Sequence, residues 1–254
     1  MSGPRAHRDD EGAPLDGSGA LSRSCAVTVW AVPLDPAAPP EAAAVAELSD
    51  DERARAARLV HDAVRNRWLH GHVATRRILA RALGVAPARI AFGAGEAGKP
   101  FVATPAGTGI EFSYSDSGEL ALVAVAHGVP VGVDVERMRD QPTLLQVAER
   151  MFAREEVAAL TALPDASRLD AFYRIWTRKE AYLKAIGAGL TYGLGRFAVT
   201  HDAVDARLLH LDGEGSAAAG WSLRSLEVPG GHAAALAVPH TAPIVRLART
   251  TGAD

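Results

Sequence analysis

The chain has 254 residues, of which 48% are hydrophobic and 22% charged, and a formal net charge of −3. That suits one large domain or two small ones with a packed core, excludes global disorder and leaves no electrostatic footprint for nucleic acid. No stretch approaches the roughly 18 apolar residues of a membrane span, and the one cysteine, Cys25, excludes an internal disulfide and a multi-thiolate zinc site.

Residues 1–24 are polar, rich in glycine, proline and charge, and lack an apolar signal core, so they read as a disordered tail. The run CAVTVWAVPL from Cys25 reads as a strand and Pro33–Pro40 as a loop. Ser49 opens a capping-box pattern with Glu52, predicting a helix through Arg58. Helical periodicity covers Ala63–Leu83, with Gly84 as a natural stop. RIAF, GAGEAGKP and FVAT read as strand, turn and short strand. EFSYSDSGELALVAVA reads as a hairpin with its tip near Ser117–Gly118.

A second half begins at Val131 with VGVDVE, a strand whose acids alternate. Helices are expected at about 142–150, 154–162 and 167–187, followed by WSLRSLEV, a turn at Pro229–Gly231, and AAALAV. This last hairpin weakly echoes the first. The expected fold is therefore α+β, with two pseudo-symmetric subdomains, each a small antiparallel-rich sheet with helices, and an active site in the cleft between them. The boundaries read as 25–128 and 129–242, with 243–254 as a C-terminal tail.

Several motifs fail. Gly93, Gly95 and Gly98 spell G-x-G-x-x-G, but no helix begins there to meet a pyrophosphate. The same stretch nearly spells a phosphate-binding loop, yet Pro100 stands where a metal-binding hydroxyl is needed. His61, His70 and His72 read as exposed helix histidines, since positions two apart on a helix point in different directions. No G-x-S-x-G supports a serine hydrolase.

The informative residues are Gly132-Val133-Asp134-Val135-Glu136 and the stretch from Trp176 to Lys184. On a strand, Asp134 and Glu136 share a face. Two carboxylates side by side are costly without a cation between them, and Mg²⁺ takes a few carboxylates with phosphate oxygens and water. Trp176, Glu180 and Lys184 lie along one helix stripe. Alone, Glu180 and Lys184 read as a surface pair worth about 0.2–0.5 kcal/mol. The joint occurrence of the two segments is what gives them weight.

GVDVE followed by RIWTRKEAYLKAIGAGL resembles the paired signatures of 4′-phosphopantetheinyl transferases of the monomeric surfactin-synthetase type, G-[IV]-D-[IV]-E and W-x-x-K-E-[AS]-x-x-K-x-x-G-x-G-L. Trp176, Lys179, Glu180, Ala181, Lys184, Gly187, Gly189 and Leu190 match. Gly98-Lys99-Pro100 is similar to the family's G-K-P, and Phe112–Ser117 in part to its F-N-x-S-H-S. Phe152 with Glu155 is read as its F-x-x-x-E, and Arg67 as resembling a phosphate-binding arginine. The resemblance spans about residues 58–238.

The resemblance implies two similar subdomains with coenzyme A between them. It assigns Mg²⁺, with Mn²⁺ as a substitute, to Asp134, Glu136 and Glu180. Donor-binding roles fall to Arg67, Lys99, Pro100, Ser115, Asp116 and Lys179. Glu180 or Glu155 activates the acceptor serine, and Lys184 steadies the phosphate charge. The acceptor is an acyl, polyketide or peptidyl carrier protein; the acidic helical surface of such a carrier would suit Arg137, Met138 and Arg139, and Met151 and Phe152 read either as further contact points or as helix core. A cytoplasmic monomer without nucleic-acid or membrane partners is expected. Asp116 replaces the family's histidine, which contacts the 3′-phosphate of CoA, and Asp62 replaces a lysine often found in the first long helix. An acid facing a phosphate is repulsive. Three accounts follow: Arg67, Lys99, Arg76 or Arg77 binds the 3′-phosphate instead; the donor is dephospho-CoA; or the chain is a weakened member that binds CoA or a carrier as an accessory. A Mg²⁺-dependent pyrophosphate hydrolase is the alternative from another class.

Overall fold

The computed structural model describes residues 25–95, 97–211 and 217–250. The tail expected at residues 1–24 lies outside them. In chain order the elements are β1 (Ala26–Pro33), α1 (Ala42–Val45), α2 (Asp50–Ala57), α3 (Asp62–Leu83), β2 (Ala91–Ala94), β3 (Pro100–Thr104), β4 (Ile110–Ser117) and β5 (Leu120–His127). Then follow β6 (Gly132–Arg137), α4 (Leu144–Met151), α5 (Arg154–Ala162), α6 (Asp165–Ile186), β7 (Phe197–Val199), β8 (Leu208–Leu211), β9 (Ser222–Ser225), β10 (His232–Val238) and β11 (Ile244–Arg249). The fold is α+β, as expected, and the predicted helices fall within a few residues of the observed ones.

One sheet has the order β11-β1-β5-β4 and another β6-β10-β9; β2-β3 and β7-β8 form separate pairs. The alternation of side chains along strands builds three layers of core from these sheets. Val27 and Val29 of β1, Leu122 and Ala124 of β5, Val133 and Val135 of β6, and Leu236 and Val238 of β10 form one cluster, so the two sheets meet face to face. The intervening residues point outward. Val32, Ala121 and Val123 pack with Ile78 and Leu79 of α3, while Ala235 and Ala237 pack with Ile175 and Leu183 of α6. Each sheet thus carries one 22-residue helix on its outer face. Both helices end on a left-handed glycine, Gly84 at φ 66° and Gly187 at φ 68°, a conformation that costs a residue with a Cβ more.

The first half is fixed by polar contacts as well. The capping box forms as read: Glu52 N–H donates to Ser49 Oγ at 3.2 Å and Ser49 N–H donates to Glu52 Oε2 at 2.8 Å. Arg76 Nε donates to the same Glu52 oxygen at 2.7 Å, and Arg76 also donates to the carbonyls of Pro87 and Ile90. Arg76 is buried, so it holds α2, α3 and the following turn together and has no access to a ligand. Arg77 pairs with Glu47 at 2.9 Å. Neither histidine of α3 is simply exposed: His70 Nε2 lies 3.0 Å from the Ala38 carbonyl oxygen, and the His72 ring stacks on Trp68 at 3.6 Å.

The C-terminal end corrects the expected boundary. Ile244–Arg249 is not a tail: it is β11, parallel to β1 in register from Ala26↔Ile244 to Ala31↔Arg249. The chain therefore closes by returning to the sheet of its first half. Exposed Ile244 and Leu247 mask the strand pattern, because an edge strand needs only one covered face. The short pair β7-β8 was also missed, its three- and four-residue strands being too brief to show a period.

Candidate active site

β4 and β6 run along the seam between the two sheets. One edge of β6 pairs with β10; its other edge carries the N–H groups of Val133, Val135 and Arg137. Serine hydroxyls of β4 accept from these, rather than a backbone ladder: Val133 N–H donates to Ser113 Oγ at 3.1 Å, Val135 N–H to Ser115 Oγ at 3.4 Å and Arg137 N–H to Ser117 Oγ at 3.1 Å. Outward-facing Asp134 and Glu136 of β6 then lie beneath α6. The helix can pack that close because residue 132 is glycine: a Cβ there would stand 1.9 Å from the Ala181 carbonyl oxygen. This is a steric reason for the glycine of the GVDVE segment.

Asp134, Glu136, Glu180 and Lys184 line one cavity of about 310 Å³ together with Tyr114, Ser115, Asp116 and Trp176. A second cavity of about 310 Å³ adjoins it, sharing Tyr114, Glu180 and Lys184, and is lined further by Gly98, Lys99, Pro100, Phe112, Leu183, Gly187 and Gly189. The combined cleft takes its walls from both halves of the chain. Burial drives the chemistry of its acids. Asp134 is buried and its carboxyl is raised, mainly by desolvation, although Lys184 and Ser115 oppose the shift. Glu136 is raised for the same reason, against a hydrogen bond from Ser117. Glu180 is pushed up to about 7 by burial and then by the neighbouring charges of Asp134 and Glu136.

Two buried carboxylate oxygens, Asp134 Oδ2 and Glu180 Oε1, have no hydrogen-bond partner among the described residues. Orphaned buried oxygens are costly and call for an explanation. Hard oxygen donors of this kind suit Mg²⁺ completed by water and phosphate, so the residues fit such an ion. They do not form a closed cage. Among the described residues no three acid or histidine side chains converge tightly enough to hold a metal by themselves. One oxygen of each strand acid is already engaged: Lys184 Nζ holds Asp134 Oδ1 at 2.7 Å and Ser117 Oγ holds Glu136 Oε2 at 2.8 Å.

The other expected site residues divide. Pro100 and Asp116 line the cleft. Ser115 lines it too, but its hydroxyl is taken up by Asp134 and Lys184. Lys99 lines the cleft, yet its ammonium donates to the carbonyls of Ala185 at 3.0 Å and Val131 at 3.3 Å. It thus caps the end of α6 and ties the halves together. Arg67 lines neither cavity; it lies one helical turn before Gly71, where an added Cβ would stand 2.1 Å from the Tyr114 hydroxyl, and it is half-buried with no hydrogen bond or ion pair among the described residues.

Two expectations are corrected. Lys179 does not reach the cleft. It is fully buried, ion-paired with Glu156 at 2.8 Å and donating to the carbonyls of Leu194 and Phe197. Adjacent helix residues point about 100° apart, so Glu180 faces the cleft and Lys179 the core of the second half. Glu155 does not reach the cleft either; it is half-exposed and pairs with His210. The fourth residue after Phe152 is Glu156, and Glu156 is the anchored acid. Its carboxylate accepts from Ala153 N–H at 2.9 Å and Val199 N–H at 2.8 Å in addition to Lys179. Phe152 is core, and Met151 packs partly buried against it.

A family model described as the 4′-phosphopantetheinyl transferase superfamily matches residues 130–237, which include β6, α6 and all but the last residue of β10. The chain is 39% identical over 165 residues to the 4′-phosphopantetheinyl transferase HetI of Nostoc sp., covering 65% of this chain and 70% of that protein. It is 33% identical over 232 residues to a phosphopantetheinyl transferase of Thraustochytrium sp., covering 85% and 80% of the two chains. With the 4′-phosphopantetheinyl transferase Sfp of Bacillus subtilis it shares 30% over 185 residues, 73% of each.

Proposed function

The chain belongs to the 4′-phosphopantetheinyl transferase superfamily and is a phosphopantetheinyl transferase; from that premise we propose that it moves the 4′-phosphopantetheine group of coenzyme A to a serine of an acyl, polyketide or peptidyl carrier protein, with Mg²⁺ bound at Asp134, Glu136 and Glu180. The observation that carries this reading is the pair of unpartnered oxygens, Asp134 Oδ2 and Glu180 Oε1, on a cleft that Glu136 and Asp116 also line.

Mg²⁺ bound there supplies positive charge against the pyrophosphate of the donor. The protein's own groups do the rest. The serine oxygen forms a bond to the phosphorus that carries the pantetheine arm. The bond from that phosphorus to the bridging oxygen breaks, and adenosine 3′,5′-bisphosphate leaves with the oxygen. The serine proton passes to Glu180. The Glu180 carboxyl is raised to about 7 by burial and by the charges of Asp134 and Glu136, a cost that a cation held among these acids would relieve. Lys184, exposed to both cavities, balances charge as it develops on the leaving group. Glu155 has no part in proton transfer, since His210 engages it outside the cleft. Arg67, half-buried and without a hydrogen bond or ion pair among the described residues, is our candidate for the 3′-phosphate; Arg76 and Arg77 are engaged by Glu52 and Glu47.

The test is the intact mass of several apo-carrier proteins incubated with CoA and Mg²⁺. A gain of the phosphopantetheine mass is expected and ranks the acceptors. Hydrolysis of CoA with no gain by any carrier would favour the pyrophosphate hydrolase instead. No helix among the described residues is long and apolar enough to cross a membrane; the cytoplasm and a monomeric state remain part of the proposal on the resemblance to the surfactin-synthetase type alone.

A further inference from the structure

The three serines of β4 do not play equal parts. Each accepts from one N–H of β6, and a hydroxyl has a single proton to give. Ser115 accepts from Val135 N–H and from Lys184 Nζ at 2.7 Å, so its proton can only go to Asp134 Oδ1, 2.8 Å away. Ser117 accepts from Arg137 N–H, so its proton goes to Glu136 Oε2, also at 2.8 Å. In both cases the serine takes the N–H of the residue after the acid and returns its own proton to that acid. Ser113 takes the N–H of Val133 in the same way, but the residue before Val133 is Gly132 and offers no carboxylate.

From this repeat we infer that Ser115 and Ser117 are positioning residues for the acidic strand. They fix one oxygen of Asp134 and one of Glu136, and so set which oxygen of each acid is left for a cation. The inference rests on the divalent-cation reading of the site. Its consequence is that the first half of the chain, through β4, controls cation affinity on the second half, through β6, without itself supplying a ligand. Ser117 is the cleaner case, because Ser115 also serves Lys184. Hydrogen-bonding partners of metal ligands commonly account for about 10–100-fold in affinity.

The experiment is Mn²⁺ binding to the full chain without CoA, by titration calorimetry, for wild type, Ser117→Ala, Ser117→Thr, Ser113→Ala and Asp134→Asn, each with its thermal midpoint. Ser117→Ala is expected to weaken Mn²⁺ binding by about 10-fold, and Ser117→Thr, which keeps the hydroxyl, to restore it. Ser113→Ala removes an equivalent contact between the sheets, so a loosened seam would affect it equally; its affinity is expected to stay within about 2-fold of wild type on the non-ligand logic above. Equal weakening in Ser113→Ala and Ser117→Ala, or none in Ser117→Ala while wild type binds and Asp134→Asn does not, overturns the positioning role and leaves the cation reading standing. Wild type and Asp134→Asn binding Mn²⁺ alike overturns both.

Discussion

Lys184 and Asp134 form an ion pair at 2.7 Å in which the acid is almost wholly buried and the lysine side chain retains 30% of its exposure. The lysine therefore compensates a charge that the fold has already taken out of water, and it does so from the wall of the cleft. Removing the lysine should cost stability as well as activity. Loss of one partner of a buried pair typically costs 3–5 kcal/mol, and the partial exposure of Lys184 reduces this to about 2 kcal/mol. Lys184→Met is expected to lose that amount in chemical denaturation at pH 8. The loss should be smaller at pH 5, because burial raises the Asp134 carboxyl and lets it take up a proton instead.

Glu180 gives a pH dependence of definite sign. Its carboxyl is raised from the ordinary 4.5 to about 7 in the folded chain. The folded state then binds the proton more tightly than the unfolded state, and stability falls as pH rises from the lower value through the upper one. Glu180→Gln removes this penalty. The variant should match wild type in thermal midpoint near pH 4.5 and exceed it at pH 8. Mg²⁺ should stabilise wild type more at pH 8 than at pH 5.5, since cation and proton compete for the same carboxylates. Differential scanning fluorimetry across pH checks both.

The Lys179–Glu156 pair separates fold from chemistry. Both side chains are essentially inaccessible, and Glu156 also holds two backbone N–H groups. Lys179→Met strands that carboxylate in the core and should destabilise by about 4 kcal/mol. Replacing both partners, as in Lys179→Met with Glu156→Gln, should recover much of the loss by denaturation. The folded fraction of either variant should keep Mn²⁺ binding, because neither residue reaches the cleft.

Asp116 bears on the donor. It lines the cleft beside Glu136 and adds negative charge where the family places a histidine. Asp116→His should raise kcat/KM for CoA relative to dephospho-CoA by about 10-fold, equivalent to about 1.4 kcal/mol. Steady-state transfer with each donor reads the ratio directly. An unchanged ratio means that the 3′-phosphate lies away from this residue.

Much of the architecture was legible because its signals are long. Both 22-residue helices have clear periodicity and a glycine stop, and the second strand of each main hairpin is a continuous apolar run. β11 was hidden because its exposed Ile244 and Leu247 break the alternation of a half-buried strand. The acids of the site followed from spacing: Asp134 and Glu136 at i and i+2, Glu180 and Lys184 at i and i+4. Lys179 was misassigned because a motif names residue types without telling which helix face each occupies. Glu155 was misassigned by one position: F-x-x-x-E counted from Phe152 ends on Glu156, and burial agrees, since Glu156 is buried while Glu155 is half-exposed. The serine row of β4 was present as S-Y-S-D-S, and its period of two pointed to one face; what that face meets depends on a strand that is distant in the order of pairing.

The central claim is that Asp134 and Glu180 carry Mg²⁺-dependent transfer. Labelled phosphopantetheine transfer from CoA to an apo-carrier protein, compared among wild type, Asp134→Ala and Glu180→Gln at matched folded concentration, tests it most directly. Transfer should be abolished in both variants while circular dichroism remains that of wild type. Near-wild-type rates in both variants would contradict the assignment.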